Sequence, residues 1–490
     1  MRFPLDKEMM KVYSRRIKDF WMDFRRNKIG LAGIVILATF VLLATFAPLL
    51  TSYHPTLDKG LAQSLAMPQW VTIFPYLNDL PPTLTMPVNW TYDNGLEFVD
   101  VEGEQELTIS HRGDESADMI LSWNLNYPYR SPEAFNIKFT WTADIAESGG
   151  YSLELLLFDS EDHEYSLWDS YYCRKGRDWI KRTQEVPFLQ KEQATSLVRV
   201  YSTDSNLLRR LNLDPLSVNL AQYVLSKKGE YRLQMHVRFI GDSQNSTCRI
   251  HMMDTLVTIP GLIHGFLGTD MLGRDVFSQM VFGTGISLVI GLLTAILTTL
   301  VGLFVGVVSG YAGGILDEGL MRMVDILLCL PVFPLLLALV YIFGLNIFYI
   351  IVLLAIFGWQ GLARVVRSQV LSMRESVFIE SAKAIGAGKF HIILEHIVPN
   401  VLPVAFAAMI LAVPAAIIAE AGLSFLGFGD PNTATWGRML YEARQADAFR
   451  QLAWWWIVPP GLAITLLSLS FVFIGHAVDE IVNPRLRRRR

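Results

Sequence analysis

The sequence predicts a polytopic, all-α membrane protein with six transmembrane helices and a β-rich domain, most simply a β-sandwich, inserted between the first and second helices. Three observations predict this fold class. The 490 residues are 52% hydrophobic and only 18% charged, which is more apolar than an ordinary soluble domain. The apolar residues are concentrated in six long segments. Between the first two segments the sequence changes to short, alternating, strand-like runs.

The apolar segments are long enough to cross a bilayer, which takes roughly 20 residues as a helix. The first, residues 30–50, contains no charged residue. A long charged region precedes it and its apolar run exceeds that of a signal peptide, so we expect it to remain as an anchor. The other expected spans are residues 286–310, 326–344, 347–362, 401–419 and 454–475.

Basic residues flank the first and last spans, and such residues stay in the cytoplasm. The residues concerned are Arg15, Arg16, Lys18, Arg25, Arg26, Lys28, Arg485, Arg487, Arg488, Arg489 and Arg490. We therefore predict a protein of the cytoplasmic (inner) membrane with cytoplasmic tails at residues 1–29 and 476–490. An even number of spans then places residues 51–265 outside the cytoplasm. Beside a span, a basic run favours orientation in membrane lipid over binding of nucleic acid, so no nucleic acid partner is expected.

The insert, residues 51–265, contains seven runs rich in β-branched and aromatic residues, separated by turn-forming residues. Many short strands of this kind favour a β-sandwich. Its aromatic residues are expected in the core of a docking module, with a ligand-binding surface as the alternative. The runs are residues 106–111, 119–127, 135–144, 151–159, 196–202, 231–241 and 248–259.

Three cysteines occur in the chain, and two of them, Cys173 and Cys248, lie in the insert. Outside the reducing cytoplasm, such a pair favours a disulfide. Two buried free thiols are the alternative interpretation. The third, Cys329, lies in the expected third span.

Enzyme signatures are weak. Gly386-Ala387-Gly388-Lys389 lacks the first glycine of a phosphate-binding loop and the serine or threonine that follows its lysine. We expect no catalytic residue, no metal site and no cofactor in this chain.

Two places next to spans carry charged residues. Thr269, Asp270, Gly273, Arg274 and Asp275 indicate a capped, charged helix start just before the second span. Glu420 lies at the end of the fifth span, where an ionisable residue is a functional candidate on a translocation path. A helix-end carboxylate in the outer interface is an equal alternative.

The connection at residues 365–400 is mixed in character. Residues 376–385 have helical composition, Gly386 and Gly388 permit a sharp turn, and residues 390–397 resume a helix. Spacing alone favours neither of two interpretations. One is an amphipathic connector on the lipid surface, and the other is a short helix that docks in a groove of another protein.

Within this connection, Glu380, Ser381, Ala382 and Gly386, followed by Ile397-Val398-Pro399, resemble the EAA motif of ABC transporter permeases. Longer motifs extend the resemblance to the C-type permease subunits of oligopeptide, dipeptide and nickel importers, whose transmembrane domain is MetI-like. These motifs are NKIGLAGIVILATFVLLATFAPLL at 27–50, HGFLGTDMLGRDVFSQMVFGTGISLVIGLL at 264–293, GYAGGILDEGLMRMVDILL at 310–328, EAGLSFLGFGDPNTATWGRML at 420–440 and DEIVNPRLR at 479–487. The long insert departs from the short loop usual in that family.

The resemblance implies a permease core at residues 266–475 that imports peptides, with oligosaccharides or nickel as alternative cargo. It implies a heterodimer with a second, related permease, two cytoplasmic ATPase subunits that bind ATP and Mg, and an extracytosolic substrate-binding protein. It also implies an amphipathic helix at residues 269–275 along the outer face. The implied coupling residues are Glu380 as polar contact, Ala382 as close-packing position and Gly386 as turn, with Ser381, Ile397 and Pro399.

Two functions of other classes fit less well. A secondary transporter would need no ATPase, and it is expected to show inverted repeats or several intramembrane charges. A membrane-anchored receptor would use the β-rich domain as a sensor, but that reading leaves five further spans unexplained.

Overall fold

A computed structural model of the chain describes residues 20–92, 99–102, 106–146, 149–175, 178–182, 193–214, 218–241 and 247–482. It divides into two units, a membrane unit of Met1–Asp58 with Asp275–Arg490 and a β unit of Lys59–Arg274. The β unit begins and ends eight and nine residues later than the insert expected at 51–265. Most of the basic tails, residues 1–19 and 483–490, lies outside the described residues.

The membrane unit is mainly helical in its described part. Its helices are α1 Lys28–Thr45, α2 Ala47–Leu50, α5 Val276–Ala312, α6 Gly314–Cys329, α7 Val332–Phe343, α8 Ile347–Ile356, α9 Gln360–Arg374, α10 Val377–Ala384, α11 Lys389–Ile392, α12 Val398–Leu423, α13 Trp436–Gln445 and α14 Trp454–Val482. The two short helices α3 and α4 belong to the β unit. Two π-helical turns, Ile393–Ile397 and Ser424–Phe428, precede and follow α12.

Among the described residues, five helices are long and apolar enough to cross a membrane, or up to six if one bent pair counts as a single span. The bent pair is α6 and α7, which meet at 88°. The span expected over 326–344 is therefore interrupted by a bend at Leu330 and Pro331. Leu330 is extended, with ψ 139°, because Pro331 disfavours the helical conformation of the residue before it and lacks an N–H of its own.

Helices α5 and α9 approach closely along three glycines spaced four residues apart. A Cβ on Gly306 would lie 2.7 Å from the carbonyl oxygen of Ala363, and one on Gly310 would lie 2.8 Å from Cβ of Val370. Gly302 faces Leu362 in the same way. Glycine at this spacing lets two helix backbones pack against each other in a membrane.

The β unit contains two antiparallel sheets. Their orders are β2-β3-β11-β5-β9, with β1 also paired to β11, and β4-β10-β6-β7-β8. All seven predicted strand runs are confirmed, and four strands, β1, β2, β7 and β8, were not predicted. The strands are β1 Leu84–Pro87, β2 Val99–Glu102, β3 Leu107–Arg112, β4 Ala117–Tyr127, β5 Asn136–Ala146, β6 Gly149–Phe158, β7 Glu164–Lys175, β8 Asp178–Arg182, β9 Gln193–Tyr201, β10 Gly229–Ile240 and β11 Thr247–Ile259; the helices α3 Ser205–Arg210 and α4 Leu220–Val224 connect β9 to β10.

One core lies between the two sheets, which confirms the β-sandwich. Ile109 and Trp141 from the first sheet pack in one buried cluster with Leu153 and Tyr231 from the second. The ring of Trp141 meets that of Tyr151 edge to face at 5.5 Å between centroids. Alternate residues along each strand point to one face, which is why the predicted alternation yields a single continuous core.

The predicted bond between Cys173 and Cys248 is wrong, because Cys248 is a buried, free thiol. Cys248 lies on β11 of one sheet, while the backbone of Cys173 lies on β7 of the other. Packed sheets are about 10 Å apart, which exceeds the Cα separation that a disulfide spans. The side chain of Cys173 lies outside the described residues.

Candidate functional site

The segment that follows α9 is a short helix, a tight turn and a second helix that leads into α12. Helix α10 ends in a Schellman motif, in which the N–H of Gly386 donates to the carbonyl of Lys383 and the N–H of Ala387 donates to the carbonyl of Ala382, both at 3.0 Å. Gly386 has φ +91°, a region in which a Cβ is strained. The glycine therefore reverses the chain between α10 and α11.

The inner side of this segment is anchored in the membrane unit. Ile379, Ile392 and Ile397 are fully buried in a cluster that also contains Val366 and Val370 of α9. Because the buried side chains come from both sides of the turn, the segment and the ends of α9 and α12 form one packed body.

Ala382 faces the same cluster and is partly buried against it, as is Ala387. The Schellman motif commonly brings these two positions into apolar contact. Contacts within the chain therefore already explain why residue 382 is small, without a partner's groove.

The outer side of the segment forms a surface that we term the loop face, made of Val377, Glu380, Ser381, Ile385 and Phe390. All five side chains are exposed, and Ile385 and Phe390 are 88% and 75% exposed. Large apolar side chains held in solvent on a packed base are typical of a protein interaction site. Pro399, at the start of α12, is exposed as well.

Polar contacts hold α9 to the end of α5 and the start of α6. Arg367 donates two hydrogen bonds to Asp317, and Ser309 donates a third to the same carboxylate. Arg374, the last residue of α9, donates to the carbonyl of Tyr311 at 3.3 Å. Sequence reasoning missed these residues, because Asp317, Arg367 and Arg374 lie outside the apolar spans that it singled out.

Glu420 is buried, with 2% of its surface exposed, near the end of α12. Ser424 Oγ donates to its carboxylate at 2.6 Å, and Thr435, which caps α13, is a second hydrogen-bonding partner. This burial differs from a solvated carboxylate at a helix end. The contacts connect the end of α12 to the start of α13.

The helix expected at residues 269–275 is absent from that position, where the structure has a turn before the helix. The carboxylate of Asp270 accepts hydrogen bonds from the side chain of Arg274 at 2.6 Å and from the backbone N–H of Arg274 at 2.9 Å. Gly273 has φ +68°, and a Cβ there would lie 2.5 Å from the carbonyl oxygen of Ala62. These contacts and the buried Thr269 favour a turn over a helix.

The predicted helix start is correct only at Asp275. Its carboxylate accepts a hydrogen bond from the N–H of Ser278 at 2.6 Å, so Asp275 caps α5, which begins at Val276. An N-cap carboxylate satisfies one of the unpaired N–H groups of the first turn.

Metal-binding groups of three or more histidine, cysteine, aspartate or glutamate side chains do not occur among the residues that the structure describes. His391 and His396 lie on the loop segment with their rings edge to face, 5.9 Å apart.

Solved structures similar to this chain include a carbohydrate-binding module in complex with β-1,4-galactotriose, at 14% identity and a TM-score of 0.17, covering 37% of this chain and 91% of that one. Another is a xylan-binding domain from Paenibacillus barcinonensis, at 9% identity and a TM-score of 0.17, covering 42% of this chain and 98% of the other.

Among curated proteins, the chain is similar to a dipeptide transport system permease of Bacillus subtilis, at 37% identity over 47% of this chain and 71% of the relative. It is also similar to an oligopeptide transport system permease of Haemophilus influenzae, at 36% identity over 48% of this chain and 75% of the relative. A glutathione transport system permease of Escherichia coli is 38% identical over 48% of this chain and 76% of that protein.

Two family models match parts of the chain. Residues 16–82 match the N-terminal transmembrane domain of oligopeptide transport permease C. Residues 302–488 match the inner membrane component of binding-protein-dependent transport systems, the range that contains the loop face and Glu420. The chain therefore belongs to the oligopeptide and dipeptide permease family of ABC transporters.

Proposed function

We propose that this chain is the transmembrane subunit of an ATP-driven importer that carries peptides across the cytoplasmic membrane. The names of its relatives, which specify dipeptide, oligopeptide and glutathione transport, support this cargo. The chain pairs with a second permease, and two separate ATPase subunits bind and hydrolyse ATP. A substrate-binding protein delivers the peptide from outside.

The observation that carries the proposal is the loop face on its packed base. Ile385 and Phe390 are exposed, whereas Ile379 and Ile392 of the same segment are fully buried. A force on the exposed residues therefore moves α9 and α12 with the segment, because closely packed interiors transmit displacement. We infer that closure of the ATPase subunits acts on this face.

The orientation follows from the spans. With the bent pair α6–α7 counted once, six spans return the chain to the side on which it began. The basic tails of the sequence assign that side to the cytoplasm. The loop face is then cytoplasmic, and the β unit is extracytosolic.

Substituting Gly386 tests the proposed coupling. Gly386→Val forces a β-branched residue into positive φ, at a cost of about 1–2 kcal/mol, and this displaces the turn. Gly388→Val is the matched control, because Gly388 has φ −65° and open space around its Cβ position. We expect reconstituted complexes with Gly386→Val to lose peptide-stimulated ATP hydrolysis and import, while Gly388→Val retains both.

A charge reversal on the loop face tests the same coupling without the backbone strain that Gly386→Val introduces. Glu380 is exposed, so Glu380→Arg leaves the fold intact and changes only what the face presents. We expect it to weaken co-purification with the ATPase subunits. Normal ATPase association and normal import in both Glu380→Arg and Gly386→Val would exclude this segment from the coupling mechanism.

The cargo is tested separately, with purified wild-type complex in vesicles. Labelled di- and oligopeptides, oligosaccharides and nickel are offered with the cognate binding protein. We expect ATP-dependent uptake of peptides alone. Uptake of a sugar or of nickel instead would overturn the peptide assignment and leave the coupling result unaffected.

A further inference from the structure

An exposed group of large apolar side chains lies in the β unit, outside its sandwich core. We term it the aromatic patch, made of Trp70, Ile73, Phe74, Tyr76 and Phe266. Ile73 and Tyr76 are 78% and 70% exposed. The patch is one surface, since Trp70 Nε1 donates to the carbonyl of Phe266 at 3.0 Å and the rings of Phe74 and Tyr76 lie 6.1 Å apart.

The patch has a rigid base. Val71, Leu80 and Ile263 form a small buried cluster beneath it. The N–H of Gln69 donates to the carbonyl of Gly265 at 2.9 Å, which holds the two chain segments together. Burial of Val71 in the 3-10 helix Gln69–Ile73 leaves Trp70 and Ile73 on its outer side. The exposure of these side chains is therefore a fixed property of the fold.

The segments that carry the patch lack charge. Residues 60–78 and 255–269 contain no Asp, Glu, Lys or Arg. Tryptophan and tyrosine on an uncharged surface are typical of membrane–water interfaces, where the apolar ring body and the polar N–H or O–H each find a suitable environment. A surface that bound a water-soluble ligand by charge would instead contain Asp, Glu, Lys or Arg.

The chain joins the β unit to the first span and to α5 through short stretches. The first apolar span ends at Leu50, and the next residue, Thr51, hydrogen-bonds Ser278 in the first turn of α5 at 2.5 Å. The start of α5 is therefore level with the end of the first span. Gly273, only three residues before Val276, is bonded to Leu61 of the β unit. Three residues reach at most about 10 Å, which limits how far Gly273 can lie from the start of α5.

We propose that the aromatic patch inserts into the outer leaflet of the membrane that holds the spans. Its side chains would contact the phospholipid headgroups and the upper part of the acyl chains. The ligand class is the phospholipid of the bilayer that holds the spans. The patch would then anchor the base of the inserted β unit at the membrane surface, which a relative with a short loop in place of the insert does not need. The inference rests on the proposed orientation of the spans, and it is independent of cargo and of ATPase coupling.

The test uses the full-length chain in phospholipid vesicles. A labelling cysteine replaces Ile73 in one variant and Tyr76 in a second, each on a background in which Cys173 and the exposed Cys329 are serine and Cys248 remains as a buried thiol. The matched control is Ile120→Cys, an exposed apolar residue on β4 of the sandwich, 49% exposed. Each variant carries a polarity-sensitive fluorophore, and quenching by spin-labelled phosphatidylcholine is compared with quenching by aqueous iodide.

We expect lipid quenching at positions 73 and 76 to exceed that at position 120 severalfold, and iodide quenching to show the reverse order. Iodide quenching at 73 and 76 equal to that at 120, without lipid quenching, would overturn the proposal. Shielding from both quenchers would also overturn it, because a protein partner would then cover the patch. Two labelled positions keep the test decisive if one variant fails to fold.

Discussion

The guanidinium of Arg367 lies 2.5 and 2.6 Å from the two carboxylate oxygens of Asp317. These residues are 50 positions apart, on α9 and α6, and Ser309 of α5 donates to the same carboxylate. Three helices therefore meet at one ion pair. The loop face begins only three residues after α9 ends, so the pair lies at the base of the segment on which the proposed coupling depends.

Breaking this pair should destabilise the chain and loosen the base of the loop segment. Arg367→Ala leaves Asp317 without its bidentate partner. We expect the free energy of unfolding to fall by about 1–3 kcal/mol, which lowers the midpoint of thermal unfolding in detergent. The double variant Asp317→Arg with Arg367→Asp restores opposite charges. We expect it to recover part of the lost stability, and a double variant less stable than either single variant would show that the pair is not the source.

Close packing of α5 on α9 should make Gly306 intolerant of a side chain. Gly306→Val places atoms where the backbone of Ala363 already lies, and overpacking of this kind costs about 1–3 kcal/mol. Gly361→Val is the control. Gly361 lies on the neighbouring helix α9, and the space around its Cβ position is open. Thermal unfolding and the yield of inserted protein are measured for both variants. Equal losses of stability in the two would show that the contact between α5 and α9 is not the cause.

The orientation predicts which residues react with a membrane-impermeant maleimide. Glu164→Cys, at the exposed start of β7, should react in intact spheroplasts. Ile385→Cys, on the loop face, should react only after the cytoplasmic side is opened. Cys173→Ser and Cys329→Ser in both variants remove the native thiols other than the buried Cys248. Labelling in the reverse order would invert the proposed topology.

The thiol of Cys248 should stay unreactive in the folded protein. Burial raises its pKa to about 12, so the reactive thiolate is scarce at pH 8. Because the folded pKa is raised, the neutral thiol contributes stability that is present below the ordinary cysteine pKa of about 9 and is lost as pH rises toward 12.

Thiol titration without reductant, before and after denaturation, checks this prediction. We expect one additional thiol on unfolding of the wild type relative to Cys248→Ala. No gain would indicate that Cys248 is bonded, against the structure.

The amino-acid sequence by itself determined the two kinds of structure and the family. Long uncharged runs are membrane helices because lipid cannot satisfy backbone polar groups, and alternation predicts strands because successive side chains point to opposite faces. Both signals are local. The pattern within residues 286–310 therefore predicts a helix, and the pattern within residues 248–259 predicts a strand, without knowledge of the rest of the fold. The motif around Glu380 identified the family for the same reason, since its residues are neighbours in the chain.

Only the tertiary structure decided which distant residues meet. Cys173 and Cys248 share a domain but lie on opposite sheets, and spacing along the chain does not contain that distance. Asp317 finds Arg367 because α6 and α9 both pack near the end of α5. Ala382 turns inward because the cluster around Ile379 fills the space beneath α10. These contacts depend on how whole helices and sheets pack. Packing depends in turn on the side-chain surfaces of those helices and sheets, which do not exist until the helices and strands have formed.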